Sequence, residues 1–158
     1  GRSNMPMKIG AALPSFEGAT EWLTGSVADI EAAKGQPMLV HFWALSCGIC
    51  KDNMPKVAEW RAQYVDRGLR VIAVHMPRYP ADTDLAAVKA ALAHYNITEP
   101  CAVDNQHKLR DAFLNEQGFV PAYYLFNAEG QLKSYAAGQF GPQIIKSALE
   151  RLLGSTDQ

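Results

Sequence analysis

The segment Cys47-Gly48-Ile49-Cys50 combines residue type and spacing that can do chemistry. Thiols three positions apart sit about one turn from each other on a helix, so their sulfurs can approach bonding distance. A cysteine at a helix N-terminus meets unpaired N–H groups and the positive end of the macrodipole, which favour an anion. The thiolate is the nucleophilic form. Cys47 takes that place. Cys50 lies one turn in, on the face that leads to Met54 and Val57, and is expected to be more buried and less reactive. Two other readings stay open at this point. The pair is half of a zinc site, or it is two inert structural thiols. Zinc needs four ligands, and the sequence offers only Cys101 and histidines at no recognisable ligand spacing, so no metal is expected. Passive packing makes poor use of paired thiols at a helix N-terminus.

The elements that must hold these residues follow from period and punctuation. Residues 5–37 carry Pro14, Gly18, Gly25, Gly35 and Pro37 and read as short extended pieces and turns. The run 37–45, nearly unbroken in apolar residues, predicts a strand buried on both faces. Cys50, Met54, Val57, Ala58, Tyr64 and Val65 then fall near helical spacing, with Gly68 as the stop. A second buried strand is expected at 69–76, giving a βαβ unit with a parallel pair. Residues 77–100 predict an inserted helix with Leu85, Val88, Leu92 and Tyr95 on one face and Asp82 or Thr83 as its cap. A short strand at 102–104 and a short helix at 109–114 follow. Residues 122–138 read as a hairpin around Asn127–Gly130. Pro142 opens a last helix whose expected buried stripe is Ile144, Ile145, Ala148, Leu149, Leu152 and Leu153. The sum is an α/β fold: a mixed central sheet with helices on both faces and an inserted strand–helix segment.

Composition narrows the function classes. The chain has 158 residues, 15 Lys plus Arg against 16 Asp plus Glu, and a net charge of −1. That balance leaves no basic footprint for nucleic acid. The apolar runs are far shorter than the roughly 20 residues that span a bilayer, so no membrane partner is expected. Three cysteines do not make a disulfide scaffold. Gly1–Asn4 reads as a cloning remnant ahead of one domain at 5–158. A native start at Met5 implies a cytoplasmic protein, whereas a removed leader or anchor would place it outside.

The stretches HFWALSCGIC (41–50), Met54-Pro55, IAVHMPR (72–78) and VPAYYLF (120–126) resemble the thioredoxin fold. Within it they resemble thiol-disulfide oxidoreductases of the TlpA/ResA-like branch, most closely its bacillary members. The resemblance runs from about residue 10 to the last helix, and the segment 77–100 matches the insertion of that branch. It implies that Cys47 attacks a substrate disulfide and Cys50 resolves the mixed disulfide. It makes Val120, Pro121 and Trp43 the substrate-binding residues, with Pro121 at the cis-proline that faces the sulfurs, Val120 presenting its backbone to substrate and Trp43 as the aromatic beneath the site. Pro55 falls where the family kinks its helix. His41 stands where thioredoxin has a buried acid and is either the proton acceptor for Cys50 or a core histidine with one bonded nitrogen. The Glu that ResA-type proteins carry just after CxxC is Asn53 here, with Asp52 on the solvent face. Ser46 replaces a frequent tryptophan and is expected to widen access to Cys47. His75 borders the same edge, in a capping or solvent role. Lys51 and Lys56 add exposed positive charge nearby, and Cys101 reads as a small buried hydrophobe.

The implied partners are disulfide-containing proteins and an electron donor, either a thioredoxin-reductase-like flavoenzyme or small thiols. The implied protein is a monomer without a bound cofactor. Two rivals are a peroxiredoxin-like thiol peroxidase, which needs a Pro-x-x-x-Thr-x-x-Cys arrangement that is missing before Cys47, and a non-catalytic redox-sensing adaptor.

Overall fold

The computed structural model describes residues 6–154. Gly1–Asn4, read above as a remnant, and Met5, read as a start, lie outside the described residues. Six strands form one sheet: β1 (Glu21–Thr24), β2 (Met38–Trp43), β3 (Arg70–His75), β4 (Cys101–Val103), β5 (Ala122–Phe126) and β6 (Leu132–Ala137). Their spatial order is β1-β4-β3-β2-β5-β6. β2, β3 and β4 run parallel, and β1, β5 and β6 pair antiparallel with their neighbours. The helices are α1 (Val27–Ala32), α2 (Gly48–Tyr64), α3 (Leu85–His94), α4 (Lys108–Ala112) and α5 (Gly141–Leu153).

All six residues of β2 are buried, as an unbroken apolar run between two helical layers requires. The period of two divides them. Leu39 packs with Val57, Trp60 and Tyr64 of α2 and with Ile145 and Leu149 of α5. Trp43 packs with Cys50 and Met54 of α2 and Val88 and Leu92 of α3. Met38, Val40 and Phe42 face the opposite layer, where Ile30 of α1, Leu109 of α4 and Phe113 lie. α2, α3 and α5 therefore cover one face and α1 and α4 the other. Gly68 ends the α2 segment in the left-handed region (φ 91°), which a glycine enters without steric cost.

Three expectations need correction. Residues 5–37 contain β1 and α1 rather than only loose extended pieces. α1 is six residues long with one buried position, Ile30, so it leaves no periodic signal, and its reciprocal Ser26–Asp29 cap defines it instead. The inserted helix starts at Leu85 with Asp84 as its N-cap, because residues Pro80–Thr83 form a separate 3₁₀ turn. In α5, Ile144 is 52% exposed while Ile145 is buried. The buried stripe runs through Ile145, Ala148 and Leu149, and Ile144, about 100° from Ile145, falls beyond its edge.

Candidate active site

The C-terminal ends of β2, β3 and β4 and the N-terminal end of β5 share one edge of the sheet. Open α/β sheets place their sites at such an edge. Cys47 follows β2 as the N-cap of α2 and is disulfide-bonded to Cys50, with Cα atoms 5.3 Å apart. The Cys50 N–H donates to Cys47 Sγ at 3.1 Å, so the sulfur takes a place that a capping oxygen would otherwise fill. Among the described residues, no cluster of three or more His, Cys, Asp or Glu side chains is arranged to hold a metal ion. Exposure is 4% at Cys47 and 1% at Cys50. The order is as expected, but the difference is small, and Gly48 and Ile49 are what the motif shows to solvent.

Pro121 follows a cis peptide bond from Val120. Val120 is half-buried and packs against the cluster that contains both cysteines. The loop ahead of it is pinned by Asn115, whose Oδ1 accepts from Phe119 N and whose Nδ2 donates to Phe119 O, both at 3.0 Å. Trp43, expected among the substrate-contacting residues, is fully buried and has no surface to offer. It packs in the same cluster as both cysteines, its ring nearly perpendicular to the His75 imidazole with centroids 4.8 Å apart. Pro55 lies inside α2 and removes the N–H that would reach the Lys51 carbonyl.

His41 is buried, and its Nε2 donates to Glu99 Oε2 at 2.5 Å. Arg61 of α2 donates through Nη1 to the other carboxylate oxygen at 2.6 Å. Three elements thus meet in one buried charge cluster beneath α2. Burial pushes the Glu99 carboxyl up, but the bonds from His41 and the nearby Arg61 charge outweigh it and hold the group below its ordinary value. Sequence reasoning missed Glu99, and the only signal was an acid set beside Pro100 at the start of a buried strand.

His75 is buried, not solvated. Its Nε2 accepts the Leu45 N–H at 3.0 Å, which fixes the chain two residues before Cys47. Burial lowers its pKa to about 4, so it is a neutral acceptor near pH 7. Ser46 does not open the site. Its Oγ donates to Asp82 Oδ2 at 2.7 Å, and Arg78 binds it through Nε to Oγ (3.2 Å) and through Nη2 to its carbonyl (2.9 Å). The insertion is therefore tied to the residue just before Cys47. Asp82, expected as a helix cap, serves here instead. Burial raises its carboxyl, yet the bonds from Arg78 N, Ser46 Oγ and Tyr79 N bring it below the ordinary value. Of the two lysines, Lys51 lies over the Tyr95 ring at 5.5 Å and Lys56 pairs with Glu59 at 3.8 Å. Cys101 is a buried free thiol whose pKa burial pushes up to about 12, consistent with an inert hydrophobe.

Comparison with known proteins agrees with this geometry. The AhpC/TSA family model matches residues 9–135. The thiol-disulfide oxidoreductase YkuV of Bacillus subtilis is 42% identical over 151 residues, covering 96% of this chain and all of that protein. The thiol-disulfide oxidoreductase ResA of Bacillus cereus is 25% identical, over 92% of this chain and 79% of its own length. A solved thioredoxin-like protein in its oxidised form superimposes with a TM-score of 0.83 at 41% identity, over 96% of this chain and all of that one. The chain belongs to the AhpC/TSA family and has the thioredoxin-like fold. Within that fold it is a thiol-disulfide oxidoreductase, and such enzymes act on disulfide-containing proteins.

Proposed function

We propose that the protein is a reductant of protein disulfides in which Cys47 attacks, Cys50 resolves and His41 takes the proton from Cys50. The observation that carries this is the Cys47–Cys50 bridge at the N-terminus of α2, with Val120, which precedes the cis peptide bond to Pro121, packed against the same cluster. In the reduced protein the Cys47 thiolate attacks one sulfur of the substrate disulfide. A mixed disulfide forms and the other substrate sulfur leaves as a thiolate. Cys50 then loses its proton, and its thiolate attacks Cys47 Sγ. The Cys47–Cys50 bond forms, the mixed disulfide breaks, and the second substrate thiolate leaves. Two electrons pass from the dithiol to the substrate. An electron donor, either a thioredoxin-reductase-like flavoenzyme or a small thiol, returns them. Val120 and Pro121 present the edge against which an extended substrate strand lies.

His41 is suited to its role by position. It shares the α2-facing side of β2 with Trp43, and Glu99 holds its Nε2. A carboxylate accepts hydrogen bonds and donates none, so Nε2 carries the proton and the ring's other nitrogen is the basic one. The direction of exchange depends on the surroundings. In a cytosolic poise of about −220 to −320 mV, a dithiol of comparable or lower potential keeps stray disulfides reduced, a part in cell redox homeostasis that we assign to a monomer. The peroxidase alternative is disfavoured because Val40 and Ala44 stand where its proline and threonine would be.

The test is a pair of cysteine variants. Cys50→Ser accumulates a covalent adduct with a disulfide substrate, and Cys47→Ser loses insulin reduction. Full activity in Cys47→Ser would overturn the roles. His41→Asn prolongs the mixed disulfide on the order of 10²-fold, the usual contribution of a positioned acid–base group. An unchanged lifetime would leave His41 a core residue. Stopped-flow mixing with peroxide should show only slow oxidation of Cys47.

A further inference from the structure

Beyond the C-terminal end of β3, joined to the motif through Arg78, lies an open cleft of about 250 Å³ whose walls include Arg78, Tyr79, His107, Arg110, Gln117 and Gly118. One end is tied to the motif, since Arg78 binds the carbonyl of Ser46, the residue before Cys47. The other end runs into the cis-proline loop, Gly118 being two residues from Val120. The cleft walls carry two guanidinium groups and an imidazole and no carboxylate. Two neighbouring acids are occupied away from the guanidinium groups, and a third pairs with one edge of Arg110. Asp82 is 3% exposed and occupied by Ser46, Arg78 N and Tyr79 N. Asp104 is buried and caps α4 through Leu109 N and Arg110 N. Asp111 takes only Nε of Arg110, at 3.1 Å. The His107 ring reaches Pro77 O at 2.8 Å from a backbone with φ 60°, a region that residues other than glycine rarely enter.

On the dithiol-exchange reading above, we infer that this cleft receives an acidic side chain of the protein substrate, close in sequence to the cysteine that Cys47 attacks. Arg78 and Arg110 thereby select substrates by the residues around their disulfide. The charge on the walls asks for an anion. The continuity with Val120 asks for an extended chain, which advances about 3.3 Å per residue. The apolar surface nearby, Phe119 at 49% and Ile49 at 42% exposure, leaves the two arginines as the part that discriminates by charge.

The test uses disulfide-linked homodimers of three peptides that differ only in flanking the cysteine with Glu, Ser or Lys. Each rate of reduction by the reduced protein is divided by the rate with dithiothreitol, which removes differences in thiol reactivity. Exposed charge pairs change an equilibrium by about 1.4- to 5-fold each. The wild-type protein is therefore expected to prefer the Glu peptide over the Lys peptide by about tenfold at low salt, and less at about 0.5 M salt, where screening acts within a few ångströms. Arg110→Gln should reduce the ratio, Arg110→Glu should bring it to one or below, and the Arg78→Gln/Arg110→Gln pair should hold it within about twofold. Because the readout is a ratio, a general loss of activity in any variant cancels. Equal normalised rates for the three peptides in the wild-type protein overturn the inference while leaving disulfide exchange standing. So does an arginine-dependent preference confined to oxidised glutathione, which would make the cleft a small-thiol site. Failure to reduce any peptide that dithiothreitol reduces removes the exchange reading and this one with it.

Discussion

His41 and His75 sit on adjacent strands, β2 and β3, and are equally buried, at 1% and 0% exposure. Their surroundings differ. His41 meets a carboxylate that also holds an arginine, so ionic charge is brought into the core and matched there. His75 meets a backbone N–H and the edge of Trp43, so its site suits the uncharged ring. Under the middle of α2 a buried ring is thus matched to an ion pair, whereas the His75 ring bonds and packs against uncharged groups, with the Asp82 carboxylate beyond it bonded to Ser46 Oγ and Arg78 N. Burial alone does not decide the state of an ionisable side chain; the partner does.

Removing the shared carboxylate breaks that contrast most severely. Glu99→Ala leaves His41 without its acceptor and Arg61 without its anion, and losing one partner of a buried pair costs about 3–5 kcal/mol. A urea midpoint should fall accordingly, while Glu99→Gln, which keeps the shape and one acceptor, should lose less. If Glu99→Ala unfolds at the wild-type midpoint, the cluster contributes nothing.

Acid should separate the two regions next. His75 has a folded pKa of about 4 against an ordinary 6.5, so the unfolded chain takes up the proton first as pH falls. Its contribution is complete above about pH 6.5 and is lost toward pH 4, on the order of 3 kcal/mol in all. Glu99 is lowered too, but as an acid: its contribution holds above the ordinary glutamate range and is lost only as pH falls through its lower folded value. Melting temperature should decline through both windows, and His75→Phe should flatten only the upper one, from a lower starting point because Leu45 N–H loses its acceptor. An unchanged slope in His75→Phe would show that another group titrates there.

The sequence exposed these regions unequally. β2, α2, β3, the hairpin and α5 were legible because each carries a period and a stop, and the CxxC motif could be placed on a strand–helix junction from those alone. The placement of Pro121 and His41 needed the family resemblance, since a proline and a histidine in apolar runs carry no period of their own. Glu99, Asp82 and Arg78 were not legible. All three are ordinary polar residues in or beside turns of the insertion, and what gives them meaning is a partner 38, 36 or 32 positions away in the chain. Ser46 was misread for the same reason: the loss of a tryptophan is visible in one dimension, and the segment that bonds to the serine in its place is not. Asp84 took the cap from Asp82 because two acids two residues apart compete for one helix start, and spacing does not rank them.

Two smaller substitutions sharpen the point that partners matter through burial. Asp82→Ala removes the carboxylate whose Oδ2 accepts from Ser46 Oγ, Arg78 N and Tyr79 N and leaves those donors without it. The cost should be about 1–3 kcal/mol, as for a buried hydrogen-bonding group left unmatched. It should also loosen the Ser46 loop, which proteolysis or exchange of the Cys47 amide would report. Lys56→Ala, by contrast, deletes a pair with Glu59 at 3.8 Å in which both side chains are about half exposed or more. Water screens that pair and the long side chains resist being held, so the midpoint should move by less than about 0.5 kcal/mol. The same kind of oppositely charged contact that matters under α2 should be nearly silent two helical turns from the motif, and a large effect of Lys56→Ala would undo the distinction between the buried and the exposed pair.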